Sequence, residues 1–453
     1  MHRHRMPDPP GPPGRYPGAH LVAFGRDPLG FVTRVARTYG DVAHGRLGRQ
    51  SLYLLSHPDH VQDVLVTAQR RFTGLAFEAS RRITGGGLLS AQGAEHRRRR
   101  RLVQPAFHRE RFTAYGAAMA AHARQWCDGQ RDGVAVAVRP AMRRLTLAIV
   151  GETMFGAADA GAADDVGALL EAGLALFGPV TFLFARWTEG LPLPRARRFV
   201  AVRARLDARI TRMLQERRAS GADRGDLLSM LLAALDEEGD GRGLTDRQVR
   251  AEVVTAFLAG HETTASALTW SWWLLAHHPE AERRLHAELD AVLGGRPPAA
   301  DDLPRLPYTA GVFAEALRLY PPAATLFRRA LEDHPVGPYV IPRGGVVLLS
   351  PYVVQRDPRF YQDPEAFDPA RWAPEARAAR PRFSYFPFGG GARVCIGEGF
   401  ATMEGVLVLA TVAQHWRLRP AVEPPPDPRR GTRPSDALRL RLERRMPCPI
   451  GAG

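Results

Sequence analysis

Between Phe388 and Gly397 the chain reads Phe-Gly-Gly-Gly-Ala-Arg-Val-Cys-Ile-Gly. One cysteine, Cys395, stands there among four glycines, with Arg393 two residues before it. Glycine has no Cβ, so such a loop folds tightly and lets a flat ligand approach its backbone. A thiolate exposed in it is a soft metal ligand, its charge spread by backbone N–H groups aimed at the sulfur. Arg393 can pair with an anion on the ligand's rim. The apolar run after Glu398 reads as a helix, which sets Cys395 just before a helix N-terminus, a position expected to depress a thiol pKa. Taken alone, a lone cysteine reads as a small buried hydrophobe.

Two other stretches could take part in the same chemistry. Ala259-Gly260-His261-Glu262-Thr263-Thr264 lies mid-way along a long helical pattern. Glycine there costs about 1 kcal/mol against alanine, and threonine hydroxyls bond back to carbonyls. The combination predicts a local opening; the plainer reading is a kink in a core helix. His96 is followed by five arginines, Arg97 to Arg101. His96 and Arg100 are four apart on one helix face, so a single anion can touch both. Such a run otherwise reads as a solvated face or a nucleic-acid patch.

The pattern Phe-x-x-Gly-x-Arg-x-Cys-x-Gly, complete here, resembles the haem-binding loop of the cytochrome P450 family. The resemblance covers nearly the whole chain. It implies a mainly α (α+β) fold, a large helical domain with a smaller β-sheet region, and haem b between the long central helix and the Cys395 loop. It makes Cys395 the axial thiolate, with Phe388 and Arg393 beside it. His96 and Arg100 would meet the haem propionates, as would Arg328, found by counting back from Asp333, with Arg329 a close second. Arg97 to Arg99 and Arg101 would then face outward. Gly260 would leave room for a diatomic ligand, Thr263 would donate a hydrogen bond to dioxygen, and Glu262 would relay protons. Glu315 and Arg318, three apart, would meet Arg371 in a buried structural network. Gln355 stands where many relatives carry histidine or asparagine.

The same resemblance implies a monooxygenase that inserts one oxygen atom from O2 into a C–H bond. Electrons would come from an external carrier, an acidic ferredoxin or flavodoxin with its reductase, which suits a basic protein. The pocket candidates Leu88, Leu89, Leu258, Ala259, Thr325 and Leu326 are mostly apolar, so a hydrophobic substrate follows. The segments around Leu191-Pro-Leu-Pro194 and Val354-Gln-Arg-Asp-Pro358 look like those of bacterial sesquiterpene-oxidising relatives. They point to a terpenoid or other secondary metabolite, with a fatty acid as the rival. A haem-thiolate peroxygenase or isomerase is the other alternative, but such relatives usually lose the acid–alcohol pair, intact here as Glu262 and Thr263.

The elements that must position these groups are legible in outline. Thr245 and Gln248 form a capping box that opens the central helix, expected to run to about His278. Helices are expected over Asp27–Tyr39, Arg139–Phe155, Arg195–Arg218, Pro279–Leu293 and Tyr308–Tyr320. Asp41–Leu47 and Ser51–Ser56 read as a hairpin. Val340–Pro351 and Ala437–Leu442 read as strands of a small second sheet. Phe177, Phe182, Leu183 and Phe184 are candidate contacts of a movable lid. Residues 1–20, rich in proline and glycine, read as a flexible arm before one catalytic domain over 21–453.

Composition sets the remaining bounds. The chain has 453 residues, and its 62 basic residues, none of them lysine, give a net charge of +15. The arginines are spread along the sequence with no nucleic-acid motif beside them, so a nucleic-acid binder is not expected. Three cysteines make no disulfide framework. No run is long enough to span a bilayer and the N-terminus lacks a signal-peptide core, so a cytoplasmic protein without a membrane anchor is expected.

Overall fold

In the computed structural model, residues 7–14, 19–47, 50–75, 85–156, 166–169, 172, 194–236, 241–421 and 432–445 are described. Nine of their helices are eleven residues or longer: α1 (Pro28–Tyr39), α2 (Gly93–Val103), α3 (Phe112–Asp128), α4 (Val138–Phe155), α5 (Pro194–Ser220), α6 (Asp246–His277), α7 (Pro279–Leu293), α8 (Pro307–Leu319) and α9 (Glu398–His415). Ten strands accompany them: β1 (Val42–Leu47), β2 (Gln50–Leu55), β3 (Phe72–Gly74), β4 (Ala135–Ala137), β5 (Leu326–Ala330), β6 (His334–Val336), β7 (Tyr339–Ile341), β8 (Val346–Leu349), β9 (Trp416–Pro420) and β10 (Arg439–Arg444).

Helix α6 begins where its cap dictates. The Thr245 hydroxyl accepts from the Gln248 N–H, and the Gln248 side chain accepts from the Thr245 N–H at 3.0 Å. The helix stays helical through Gly260 and the two threonines, so the expected local opening is not found. The threonine hydroxyls are absorbed without a break, Thr263 donating to the Ala259 carbonyl at 2.6 Å. Phe155 of α4 stacks on Phe257 of α6 with ring centroids 4.2 Å apart. Helix α9 is apolar on almost every side and correspondingly buried, as a helix inside a large core must be.

The strands fall into a five-stranded sheet in the order β1-β2-β8-β5-β3, a three-stranded sheet β4-β10-β9 and the pair β6-β7. The expected second sheet is therefore divided. β8 runs parallel to β2, whereas β10 pairs with β4 and β9. Continuous apolar runs such as Val346–Leu349 cannot show which partner they have; burial on both faces does that. The described part of the expected arm is likewise not free: Pro9 is buried, and the Pro10 carbonyl accepts from the His44 N–H at 2.9 Å. The candidate lid residues Phe177, Phe182, Leu183 and Phe184 lie outside the described residues. No described helix is long and apolar enough to cross a membrane.

Candidate active site

The loop before α9 is built by its glycines. Gly389 and Gly391 sit at φ +75° and +65°, and a Cβ on Gly391 would stand 1.8 Å from the Leu65 carbonyl oxygen. These positions are closed to side chains. The Cys395 N–H closes the turn by donating to the Phe388 carbonyl at 2.9 Å, with Phe388 packed half-buried against the main core. Cys395 itself is exposed although burial dominates its surroundings, as on the wall of a cleft. Burial pushes its thiol pKa up, opposed by the Gly397 N–H and Arg100. The expected depression is thus reversed, because desolvation outweighs the helix N-terminus.

Four basic side chains gather next to this loop. Arg100 donates to the Val394 carbonyl at 2.7 Å, and Arg393 to the Ala91 carbonyl at 2.8 Å. Arg328 follows from the register of β5 against β3, opposite Gly74, where a Cβ would meet Arg393 Nη1 at 3.2 Å. Strand alternation sends Arg329 elsewhere, to Gln50 and the Gly344 carbonyl. Burial first, then Arg393, pushes the Arg328 pKa down to about 10. Burial, followed by Arg393, Arg100, Arg97 and Arg328, pushes His96 down to about 4. None of His96, Arg100, Arg328 and Arg393 has a carboxylate partner among the described residues. Such a concentration of positive potential beside a thiol fits a ligand with a metal at its centre and carboxylates on its rim.

The rest of the arginine run faces outward only in part, Arg97 and Arg101 being exposed as expected. Arg99 is buried and paired with Glu252 and Glu95, while Arg98 and Arg101 meet the buried Asp236. Of the two exposed ones, Arg97 has no ion pair among the described residues. The run satisfies three different neighbours because successive helix positions point about 100° apart.

Across the cleft, α6 presents a stripe. Ala259 and Thr263 are exposed and Leu258 and Gly260 half-buried, in a helix whose neighbouring residues are buried. At Gly260 a Cβ would stand 3.0 Å from Val150 Cγ2 on α4. Its missing side chain admits the neighbouring helix. Glu262 and Thr263 have separate partners, the Thr263 hydroxyl bonding to the Ala259 carbonyl. The Glu262 carboxylate meets Arg139 of α4, which also holds Asp436, and lies 3.3 Å from Arg433 Nε. Glu404 on α9 lies beside Thr264 on α6, which ties the two walls roughly 10 Å along α9 from the Cys395 loop. Of the remaining pocket candidates, Leu88, Thr325 and Leu326 are half-buried and Leu89 is 56% exposed. Leu326 Cδ1 approaches within 3.7 Å of where a Gly389 Cβ would be, which seats it against the loop.

Behind the loop stands a buried network in which each arginine meets a carboxylate. Glu315 and Arg318 are both 0% exposed and meet through two hydrogen bonds of 2.8 Å. Arg318 also donates to the carbonyls of Gln355, Pro364 and Ala366. Glu315 accepts from Trp372 Nε1 and the Asp368 N–H, and Arg371 Nε lies 3.4 Å away. The role of Gln355, unassigned from sequence, follows from its bonds. Its amide donates to the carbonyls of Leu317 and Arg318, and its oxygen accepts from the Phe386 N–H at 3.0 Å. Gln355 thus links the end of α8 to the segment entering the Cys395 loop. Glu252 was also missed; the signal was an acid set within the apolar run Ala251 to Phe257.

Comparison with known proteins gives one consistent picture. A family model described as Cytochrome P450 matches residues 9–441. The cyclooctatin synthase of Streptomyces melanosporofaciens is 42% identical over 90% of this chain and 89% of its own. The cyclooctat-9-en-7-ol 5-monooxygenase of the same organism is 38% identical over 91% of each. The crystal structure of the cytochrome P450DA heme domain superposes with a TM-score of 0.88, at 27% identity, over 98% of this chain and 99% of that one.

Proposed function

This chain belongs to the cytochrome P450 family, a haem-thiolate family of monooxygenases, and from that premise we propose which of its residues do the work and on what. Cys395 would ligate the iron of haem b through its thiolate, and His96, Arg100, Arg328 and Arg393 would hold the propionates. The observation that carries this assignment is the cluster of four basic groups lacking carboxylate partners beside an accessible thiol. When bound, haem supplies activation of dioxygen and transfer of one oxygen atom into a C–H bond, with two electrons from an external carrier.

The chain's own residues orient the substrate, exclude water and move protons. Ala259, Leu258, Thr325 and Leu326 line an apolar wall that excludes water from the reacting C–H bond. Thr263 holds a proton on Oγ1, donated to the Ala259 carbonyl, and can re-aim it into the cleft by rotating χ1. Glu262 passes protons inward from the edge marked by Arg433, which is 67% exposed. A terpenoid is the substrate class: the relatives' names give cyclic, largely apolar molecules, and the lining residues match that polarity. The electron donor is an acidic ferredoxin or flavodoxin, complementary to a net charge of +15.

The decisive test is the carbon monoxide difference spectrum of the reduced protein. The wild type is expected to give the haem-thiolate band and Cys395→Ser to lose it; a band unchanged in the variant overturns the assignment. Terpenoids are expected to shift the haem spin state where fatty acids of similar size do not. A shift with fatty acids alone replaces the substrate class.

A further inference from the structure

We propose that Glu252 and Arg99 anchor the loop carrying Leu88 and Leu89, and that this buried pair positions the loop over the cleft and so helps set which substrates fit. The inference rests on the haem-monooxygenase reading, since it concerns the substrate side of that cleft.

Glu252 is 3% exposed and Arg99 5%, with Arg99 Nη1 donating to Glu252 Oε1 at 2.6 Å. The other carboxylate oxygen accepts from the Leu88 N–H at 2.9 Å. One carboxylate therefore joins three elements: α6, α2 and the loop. Just before Leu88, Gly87 lies so close to α6 that a Cβ would stand 2.2 Å from Thr255 Oγ1 and 2.6 Å from the Ala251 carbonyl. The Gly87 carbonyl in turn accepts from the N–H groups of Ser90 and Ala91, at 2.9 and 3.0 Å. At its far end the loop is held by Arg393, which donates to the Ala91 carbonyl at 2.8 Å. Between these pins stand the half-buried Leu88 and the 56% exposed Leu89.

The position of the anchor links it to selectivity. Glu252 and Ala259 are seven residues apart, two turns along one face of α6, or roughly 10 Å. The loop is thus fixed to the same stripe that Ala259 and Thr263 present to the cleft. A carboxylate buried this deeply stays in place because Arg99 balances its charge, and Arg99 in turn is steadied by Glu95 at 2.8 Å. Glu252 and Arg99 are positioning residues: neither is assigned a contact with haem or substrate.

The experiment compares wild type with Glu252→Gln and the double variant R99L/E252L, all as haem-loaded enzyme. Replacing both charges by leucine avoids leaving one buried and unpaired, so folding is retained. Amide hydrogen exchange over residues 85–92 reads the loop directly. It is expected to quicken at least tenfold in the double variant and less in Glu252→Gln, whose oxygen still accepts one of the two bonds. Terpenoid dissociation constants, read by spin-state shift, are expected to rise about three- to tenfold, with a broader product distribution. The carbon monoxide band is expected to stay in place. Unchanged exchange in both variants overturns the anchor, and unchanged dissociation constants and products overturn its link to selectivity. Loss of the band overturns it too, by showing that the pair supports the haem. Failure of the haem reading itself appears separately, as the absence of that band in the wild type.

Discussion

Two clusters of arginine, one buried around Glu315 and one half-buried around Arg328, lie near the Cys395 loop, and they differ in one respect. Around Glu315, every charge has its counterpart: Arg318 spends its donors on that carboxylate and on three carbonyls. Around Arg328, guanidinium groups face one another and a neutral histidine, with only carbonyls and an amide oxygen as acceptors. The first cluster is complete within the protein. The second has no carboxylate among the described residues, as the proposed binding of an anion from outside requires. Residue type alone does not separate the two; charge balance does.

Breaking the balanced cluster should give the largest effect. Arg318→Leu leaves Glu315 charged at 0% exposure, which costs about 3–5 kcal/mol. The variant should show a sharply lower denaturation midpoint with or without haem. A midpoint within error of wild type would mean the network is ornamental. Removing a member of the unbalanced cluster should act differently. Arg328→Leu deletes a desolvated cation with no carboxylate partner, so the haem-free protein should be no less stable. Haem loss to a scavenger should quicken roughly ten- to hundredfold, equivalent to one charge-assisted hydrogen bond of about 1.5–3 kcal/mol. If Arg328→Leu destabilised the haem-free protein as much as Arg318→Leu, the distinction between the clusters would fail. Gln355→Leu should destabilise less than Arg318→Leu, by about 1–3 kcal/mol, because it orphans two carbonyls and one N–H in the buried interior. Its denaturation midpoint checks this.

The same contrast explains what could be read in advance. Helix limits were legible where local chemistry decides them: the Thr245–Gln248 box, and the αL glycine Gly294 that ends α7. Counting back from Asp333 names Arg328 ahead of Arg329; the register of β5 supplies the physical reason. The burial of Arg99 needed Glu252, 153 residues away in sequence. The close approach of Val150 to Gly260 was hidden for the same reason, since Val150 belongs to another helix. The rise in the Cys395 thiol was missed because a sequence displays the helix N-terminus that follows but not the desolvation around it. What stayed hidden in each case was a long-range partner.

Glu404 completes the comparison from the other sign of charge: a buried carboxyl with no cation. It is 0% exposed, and neither oxygen has a hydrogen-bond partner of good geometry, though the Thr264 hydroxyl lies near. Burial therefore holds its pKa well above the usual carboxylate range, with Thr264 opposing only in part. The folded state keeps this proton at pH values where the unfolded chain has released it. Over that interval the native state binds more protons than the unfolded state, so stability falls as pH rises from about 4.5 toward the raised native value. This is the reverse of a salt-bridged carboxylate, whose contribution is lost as pH falls. Glu404→Gln keeps the shape and removes the proton linkage. Relative to wild type, the variant should gain stability progressively between about pH 5 and 8, by the smallest amount of the four substitutions at the acid end. Thermal denaturation of the haem-loaded proteins across that range checks it. Parallel curves would show that a cation or donor reaches Glu404 after all, and that it belongs with the balanced cluster.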